Sequence, residues 1–214
     1  EAGVINVVNR TYRNVAPLQK ARAMVTAGEI GTVRHVEASY LQSWLVSKAW
    51  GDWKTESQWL WRLSKKHGSN GTLGDVGIHI LDFASYGAGL DIDHVFCRLR
   101  AFDKAPENRI GEYELDANDS FTMAVDFSNG ALGVVHSSRW ATGHLNELKL
   151  RIYGEKGSLE VRHTTDGSSL RGFTRIERGD MILLPDSDTA FIDPFFDQPT
   201  ISFIGNIMES NRTV

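Results

Sequence analysis

The chain has 214 residues, of which 41% are hydrophobic and 23% charged, as in an ordinary globular protein of one or two domains. Its 23 lysines and arginines against 27 aspartates and glutamates leave a formal charge of −4, which argues against a nucleic-acid partner, because binding to phosphates needs a basic face. The single cysteine, Cys97, excludes a disulfide framework and favours a reducing, cytoplasmic compartment. No apolar run approaches the roughly 20 residues of a membrane helix, so no membrane partner is expected.

The amino-terminal part is predicted to alternate between strands and a helix. Residues 3–8 form a short β-branched run that is typical of a buried strand. Residues 15–27 have helical spacing, and Gly28 supplies the usual stop. Residues 32–42 alternate as a strand, with Val36, Ala38 and Tyr40 on one face.

Residues 43–70 are irregular and carry five of the six tryptophans, namely Trp44, Trp50, Trp53, Trp59 and Trp61. Two interpretations of this cluster remain open. The rings form either an aromatic platform for a sugar, or the packing of a long loop.

From residue 92 onward the pattern is mostly β, with a short helix expected at residues 201–210. The predicted strands cover residues 95–102, 120–127, 131–140, 147–153 and 158–163. Helices early and antiparallel strands late predict an α+β fold with one layer of helices on a sheet. The apolar residues Val125, Phe127, Leu132 and Val134 illustrate how much surface the second face of the sheet has to cover, so we expect a homodimer or homotetramer through that face.

A glycine-rich turn leads into the most informative segment, an apolar helix predicted over residues 73–86. If it is helical, Asp75, His79 and Asp82 share one face at spacings i, i+4 and i+7. A polar stripe on a buried helix is costly unless its groups are paired or face a cavity. We therefore expect His79 to be a general acid or base, with the two carboxylates fixing its tautomer and holding its pKa near neutrality.

Two other interpretations of the same three residues stay open. His79 is a satisfied core histidine, with Asp75 as a helix cap. Alternatively, Asp75, His79 and Asp82 bind a metal ion in a hydrolase or lyase.

Two neighbouring features are an arginine with two possible interpretations and a glycine-rich turn that does not match a dinucleotide site. Arg62 is either a donor to an oxyanion or hydroxyl group, or an exposed cation stacked on tryptophan. The sequence Gly68-x-x-Gly71-x-x-Gly74 lacks the Gly-x-Gly-x-x-Gly spacing and the preceding strand of a dinucleotide site.

Three passages of the sequence carry a family resemblance. They read Tyr12-Arg13 with Pro17 and Ala27-Gly28-Glu29-Ile30-Gly31, then Trp61-Arg62 with Gly71-x-x-Gly74-Asp75-x-Gly77-x-His79-x-x-Asp82, then residues 119–138 followed by Ile152-Tyr153-Gly154-Glu155-Lys156-Gly157-Ser158. Together they resemble the glucose–fructose oxidoreductase/inositol dehydrogenase (Gfo/Idh/MocA) family, and the middle passage is the specific one.

The resemblance implies a Rossmann domain for NAD or NADP, followed by a dihydrodipicolinate-reductase-like domain with a large, mostly antiparallel, open-faced sheet. It implies hydride transfer between the nicotinamide and a sugar or polyol carbon. By the motif, His79 and Asp75 are the catalytic residues, Arg62, Trp61 and Arg13 contact the substrate, and Asp82 is structural.

The sequence departs from the family in lacking the dinucleotide fingerprint and the Glu-Lys-Pro motif with its catalytic lysine. We therefore expect residues 1–10 to be a remnant of the Rossmann domain and residues 11–214 to be the substrate-binding and oligomerisation domain, curtailed near its carboxyl end. No cofactor-binding residue is assigned, and the chain alone is expected to be inactive. The alternative is a module that binds a carbohydrate or a partner without catalysis.

Overall fold

The computed structural model describes residues 10–175 and 181–183 and places one large sheet behind a layer of helices. The helices are α1 (Ala16–Thr26), α2 (Ser57–Leu60) and α3 (Ile78–Ala88), and a π-helical turn, Leu73–Gly77, runs directly into α3. The strands are β1 (Val33–Gln42), β2 (Ile92–Arg100), β3 (Arg109–Ile110), β4 (Tyr113–Glu114), β5 (Ser120–Phe127), β6 (Leu132–Ser138), β7 (Asn146–Gly154), β8 (Gly157–Thr164), β9 (Gly167–Arg175) and β10 (Met181–Leu183).

Eight of the described strands form one sheet in the order β10-β9-β8-β7-β1-β6-β5-β2, and β3 and β4 form a separate ribbon. Neighbouring strands of the large sheet are antiparallel except β1 and β6, which are parallel. The predicted α+β fold with a mostly antiparallel, open-faced sheet is therefore confirmed. Five of the later strands were predicted within a few residues; β9 and β10 were not predicted.

The alternation of buried and exposed residues along β5 and β6 shows which face of the sheet the helices cover. In β5 the odd-numbered residues, among them Val125 and Phe127, are buried under the helical layer. In β6 Leu132 and Val134 point to the opposite, open face and are exposed. The expectation that these four residues share an uncovered face is therefore wrong for Val125 and Phe127, because antiparallel partners in register place them on the core side.

A second, smaller core lies beside the sheet and is built largely from the tryptophan-rich segment. Trp44, Trp53, Leu60, Leu63 and Leu115 are buried in it, and the Trp53 indole donates a hydrogen bond to the carbonyl of Leu45 at 3.1 Å. Packing of a long loop is thus one role of the tryptophans.

Two predicted elements, the strand over residues 3–8 and the helix over residues 201–210, lie outside the described residues. Among the described helices, none is long and apolar enough to cross a membrane.

Candidate functional site

A cleft of about 280 Å³ opens between the helical layer, the ends of β1 and β7, and the tryptophan-rich segment. Its lining combines three indole rings with phenol, amide, carboxylate, guanidinium and imidazole groups, from Tyr12, Tyr40, Gln42, Trp44, Trp50, Trp59, Arg62, Asp75, Val76, His79 and Asn146. A concave site with aromatic walls and a few convergent polar groups is the usual form of a small-molecule site.

The π-helical turn sets the position of Asp75. Its entrance is fixed by Asn118, which accepts hydrogen bonds from the Thr72 amide through its carbonyl at 2.7 Å and from the Leu73 amide through Oδ1 at 3.0 Å. Gly71 has a left-handed φ of +66°, and a side chain there would collide with Asn118. The glycines thus allow the turn, and π-helical turns within helices are frequent at functional sites.

His79 lies on the first turn of α3 and lines the cleft, as the sequence predicted. Its ring meets the ring of Tyr12 edge-on, with centroids 5.2 Å apart. Burial lowers the pKa of His79 below 6.5, and the charges of Asp75 and Asp82 oppose that effect without cancelling it. The imidazole is therefore neutral at pH 7 and has the capacity to accept a proton.

The expectation that the two aspartates bind and orient His79 is wrong. Neither carboxylate is hydrogen-bonded to the imidazole, and each is bound by arginines. The aspartates act on His79 through their charge alone.

Asp75 is held between two guanidinium groups. Arg62 Nη1 lies 3.0 Å from both carboxylate oxygens, and Arg139 Nη2 lies 2.6 Å from Oδ2. Asp75 nevertheless remains 37% exposed and lines the cleft. The carboxylate is thus fixed in orientation by two cations and still open to a ligand.

Arg139 is the residue of this group that the sequence reading missed. Its side chain is 0% exposed, and its guanidinium lies over the Trp44 ring at 4.8 Å. Burial lowers the pKa of Arg139 to about 10, although Asp75 opposes the shift, so the side chain stays charged at pH 7. A signal was present: Arg139 continues the buried phase of Val135 and Ser137 along β6, where a charged residue needs a partner.

Asp82 belongs to a different cluster. It is buried, and it accepts hydrogen bonds from Arg13 Nε at 2.9 Å, from Arg13 Nη2 at 2.7 Å and from Arg10. Burial raises the pKa of Asp82, but the bonds from the two arginines outweigh this and hold it below 3.8. Arg13 was predicted to contact the substrate, but it does not line the described cleft. It instead joins the amino-terminal turn, a 3₁₀ helix over Thr11–Asn14, to α3.

Arg62 and Trp61 occupy the rim of the site. The half-buried Arg62 guanidinium both binds Asp75 and stacks on the Trp61 ring at 4.9 Å, so stacking on tryptophan is observed and donation to a ligand oxygen stays a prediction. Trp61 is 40% exposed and faces a neighbouring cavity of about 190 Å³ that Arg62, Asp75 and Arg139 also line. Trp61 is thus separated from the cleft that contains His79.

The opposite wall of the cleft carries a row of hydrogen-bonded polar groups. Gln42 and Asn146 are directly paired across β1 and β7, and Gln42 Nε2 donates to Asn146 Oδ1 at 2.9 Å. Asn146 is hydrogen-bonded to the Tyr40 hydroxyl, which lies 2.7 Å from the Tyr12 hydroxyl. These four residues were not predicted as site residues, although Gln42 follows Tyr40 on the buried phase of β1.

The metal-site interpretation does not fit this geometry. Asp75 and Asp82 are each bound by a separate pair of arginines, as described above. Within residues 10–175 and 181–183, no group of three His, Cys, Asp or Glu side chains is placed to share an ion.

The glycine-rich turn does not fit a dinucleotide either. A phosphate-binding loop presents free backbone amides. Here the Gly71 amide donates to Ser69 Oγ at 3.0 Å, the Thr72 and Leu73 amides donate to Asn118, and the Gly74 amide donates to the Asn70 carbonyl at 3.2 Å. No described residue is therefore assigned to NAD or NADP.

Two family models match different parts of the chain. The model described as "GFO/IDH/MocA C-terminal domain" matches residues 18–160, and the model described as "Glutamine synthetase, beta-Grasp domain" matches residues 136–210. Curated glutamine synthetases match stretches of 44 to 68 residues at 44–52% identity, which is 9–14% of their own lengths. The carboxy-terminal part therefore carries a similarity that the first family does not account for.

The longest similarities extend over most of the chain. Levoglucosan dehydrogenase from Pseudarthrobacter phenanthrenivorans is 25% identical over 203 residues, which cover 84% of this chain and 50% of the relative. An oxidoreductase domain protein from Kribbella flavida is 34% identical, with a TM-score of 0.68 over 82% of this chain and 44% of that one. A levoglucosan dehydrogenase in complex with NADH and L-sorbose shares the fold, at 24% identity and a TM-score of 0.71 over 97% of this chain and 55% of that one.

The chain thus spans about half the length of these relatives. Most of its described residues, Asp75 and His79 included, fall within the first matched region. The resemblance seen in the sequence is confirmed: the chain belongs to the GFO/IDH/MocA C-terminal domain family.

Proposed function

We propose that the chain forms the substrate-binding and catalytic portion of an NAD(P)-dependent oxidoreductase that acts on a sugar or polyol. The observation that carries this proposal is a neutral His79 beside Asp75, whose carboxylate two arginines hold, in a cleft with aromatic walls. Family membership and the similarity to a levoglucosan dehydrogenase support it. The nicotinamide cofactor, held outside the described residues, supplies the hydride acceptor or donor.

The lining of the cleft suits a polyhydroxylated ring. The apolar face of a sugar ring packs on indole surfaces, here those of Trp44, Trp50 and Trp59. The hydroxyl groups of the ligand need both donors and acceptors, which Asp75 and the amides of Gln42 and Asn146 supply. A purely apolar ligand would leave unpaired the buried Gln42 Oε1, which has no hydrogen-bond partner among the described residues.

Each polar group has a role that follows from its protonation state. His79 accepts the proton of the carbinol hydroxyl during oxidation and returns it during reduction, because its lowered pKa keeps the ring neutral. Asp75 accepts a hydrogen bond from a neighbouring substrate hydroxyl. Arg62 and Arg139 hold the Asp75 carboxylate in a fixed orientation.

The larger organisation is part of the proposal. We assign residues 1–10 to the end of the cofactor-binding domain and residues 11–214 to the substrate-binding domain of a cytoplasmic enzyme; the first family model supports the second assignment over residues 18–160, and residues 136–210 also match the glutamine synthetase model. Assembly as a homodimer or homotetramer is supported by the open face of the sheet, where Phe96 is 78% exposed and Leu132 and Val134 are also exposed.

Replacing the histidine tests the catalytic assignment. In the enzyme in which this chain is joined to its cofactor-binding domain, His79→Ala should lower kcat for polyol oxidation by ~10²–10⁴ with cofactor affinity unchanged. His35→Ala, on the open face of the sheet, is the matched control and should keep normal turnover. Near-normal turnover in His79→Ala would refute the assignment, and polyol binding without any oxidation by the wild-type enzyme would favour the non-catalytic carbohydrate-binding module.

A further inference from the structure

A continuous row of polar side chains runs along the cleft wall and ends at Tyr12. It consists of Gln42, Asn146, Tyr40 and Tyr12, linked by the hydrogen bonds given above. The motif that identifies the family does not include Gln42, Asn146 or Tyr40. The row therefore needs an explanation of its own.

Counting donors and acceptors gives the row a direction. Asn146 Oδ1 accepts from Gln42 Nε2, and the bond between Asn146 and Tyr40 acts to lower the pKa of Tyr40, which is the effect of an amide hydrogen donated to the phenol oxygen. Burial raises the pKa of Tyr40 far more, so the phenol keeps its proton. Tyr40 is buried, and the described acceptor for its proton is the Tyr12 oxygen at 2.7 Å.

The proton of Tyr12 is then left for another acceptor. Among the described residues, Tyr12 Oη has no hydrogen-bond partner besides Tyr40. Tyr12 is half-buried and lines the cleft, and its ring touches that of His79. Because successive hydrogen bonds polarise one another, the last hydroxyl of such a row is a strengthened donor.

The turn that carries Tyr12 is firmly placed. Arg10 and Arg13, on either side of Tyr12 in the chain, both bind the buried carboxylate of Asp82 on α3. The phenol is thereby held against the cleft from two directions, by Asp82 through the backbone and by Tyr40 through the hydroxyl.

We propose that Tyr12 is a substrate-binding residue whose hydroxyl donates a hydrogen bond to an oxygen of the ligand, next to the oxygen whose proton His79 accepts. The cleft thereby selects a ligand with an acceptor oxygen adjacent to the reacting carbinol, as in vicinal diols and cyclic ethers of sugars. Tyr40 and Asn146 are positioning residues that orient the Tyr12 hydroxyl. This inference rests on the proposed function, because it takes the ligand to be a sugar or polyol.

The test is a binding titration of the full chain, with levoglucosan as the probe and tryptophan fluorescence as the readout, since three indoles line the cleft. Tyr12→Phe should weaken binding about fivefold to tenfold, the usual effect of losing one neutral hydrogen bond. Tyr40→Phe should weaken it less, by about twofold, because the Tyr12 donor remains. Tyr153→Phe removes a phenol on the open face of the sheet and should leave binding unchanged.

A double variant separates ligand binding from a packing defect. Tyr12→Phe alone leaves the buried Tyr40 hydroxyl without its acceptor, whereas Tyr12→Phe with Tyr40→Phe removes both hydroxyls. The double variant should bind as weakly as Tyr12→Phe. Recovery of wild-type affinity in the double variant would overturn the inference, and so would unchanged affinity in Tyr12→Phe. Absence of levoglucosan binding by the wild-type chain would instead overturn the proposed function itself.

Discussion

Two aspartates flank His79, and the structure uses them in opposite ways. At Asp75 the carboxylate is 37% exposed and its partner Arg139 is 0% exposed. At Asp82 the carboxylate is 5% exposed and its partners Arg10 and Arg13 are 44% and 46% exposed. Around Asp75 the cation of Arg139 is buried and the carboxylate is exposed to the cleft. Around Asp82 the carboxylate is buried and the arginines are exposed.

This difference in burial indicates different roles for Asp75 and Asp82. A buried, charged Arg139 fixes Asp75 and leaves part of the carboxylate facing the cleft, where a ligand hydroxyl is able to reach it. The carboxylate of Asp82 is fully used by two arginines from the amino-terminal turn, so it serves to fasten that turn to α3. Similar spacing from the histidine in sequence, four residues for Asp75 and three for Asp82, therefore does not imply equal function.

Of the two aspartates, the open carboxylate of Asp75 should give the larger effect on catalysis when it is removed. Asp75→Asn should lower kcat/KM for the polyol by about 10- to 100-fold, since a hydrogen bond from the substrate to a charged acceptor is lost. The variant should also be less stable, because Arg139 is left buried without a carboxylate. Steady-state kinetics measure the effect, with the exposed Asp126→Asn as the control. Unchanged kinetics in Asp75→Asn would contradict the assignment of Asp75, rather than Asp82, to ligand binding.

Removing the buried carboxylate should act mainly on stability. Asp82→Asn should lower the free energy of unfolding by about 2 kcal/mol, because two charged hydrogen-bond partners lose their anion. We expect kcat/KM to change by about threefold or less, through looser placement of the turn that carries Tyr12. Urea unfolding followed by fluorescence measures the first quantity, and a large catalytic loss at unchanged stability would be inconsistent with a fastening role.

The smallest expected effect is in the pH dependence. Because burial lowers the pKa of His79 below 6.5, kcat/KM for oxidation should fall only as the pH drops through a value below 6.5. The lowered pKa also makes the free energy of unfolding depend on pH. His79 takes up its proton at a higher pH in the unfolded chain than in the folded one, so the free energy of unfolding should decrease as the pH falls below 6.5. A pH–rate profile measures the acidic limb; a limb centred above 6.5 would show that the aspartates, rather than burial, control the imidazole.

Local patterns in the sequence were sufficient for most strands of the sheet and for part of the site. The alternation in β1 and β5 and the passage from Gly71 to Asp82 predicted buried faces and the placement of His79 and Asp75. These features depend on residues close together in the chain, whose spacing fixes a shared face.

The remaining features depend on partners far apart in the chain. Arg13 binds Asp82 69 residues away, and Arg139 binds Asp75 64 residues away, so neither pairing is visible in local spacing. The π-helical turn likewise depends on Asn118, which only the folded sheet brings to residues 72 and 73. The predicted bonds from the aspartates to His79 failed because distant arginines outcompete a neutral imidazole for a carboxylate.

The most direct test compares the two aspartate variants by the thermal shift that levoglucosan produces. At ten times its Kd, a ligand that binds only the folded state stabilises it by about 1.4 kcal/mol, or roughly 3–5 °C for a chain of this size. We predict this shift for the wild-type chain, its loss in Asp75→Asn, and its retention in Asp82→Asn on top of a lower starting Tm. Loss of the shift in Asp82→Asn together with its retention in Asp75→Asn would contradict the assignment of Asp75 to the ligand and Asp82 to the fold.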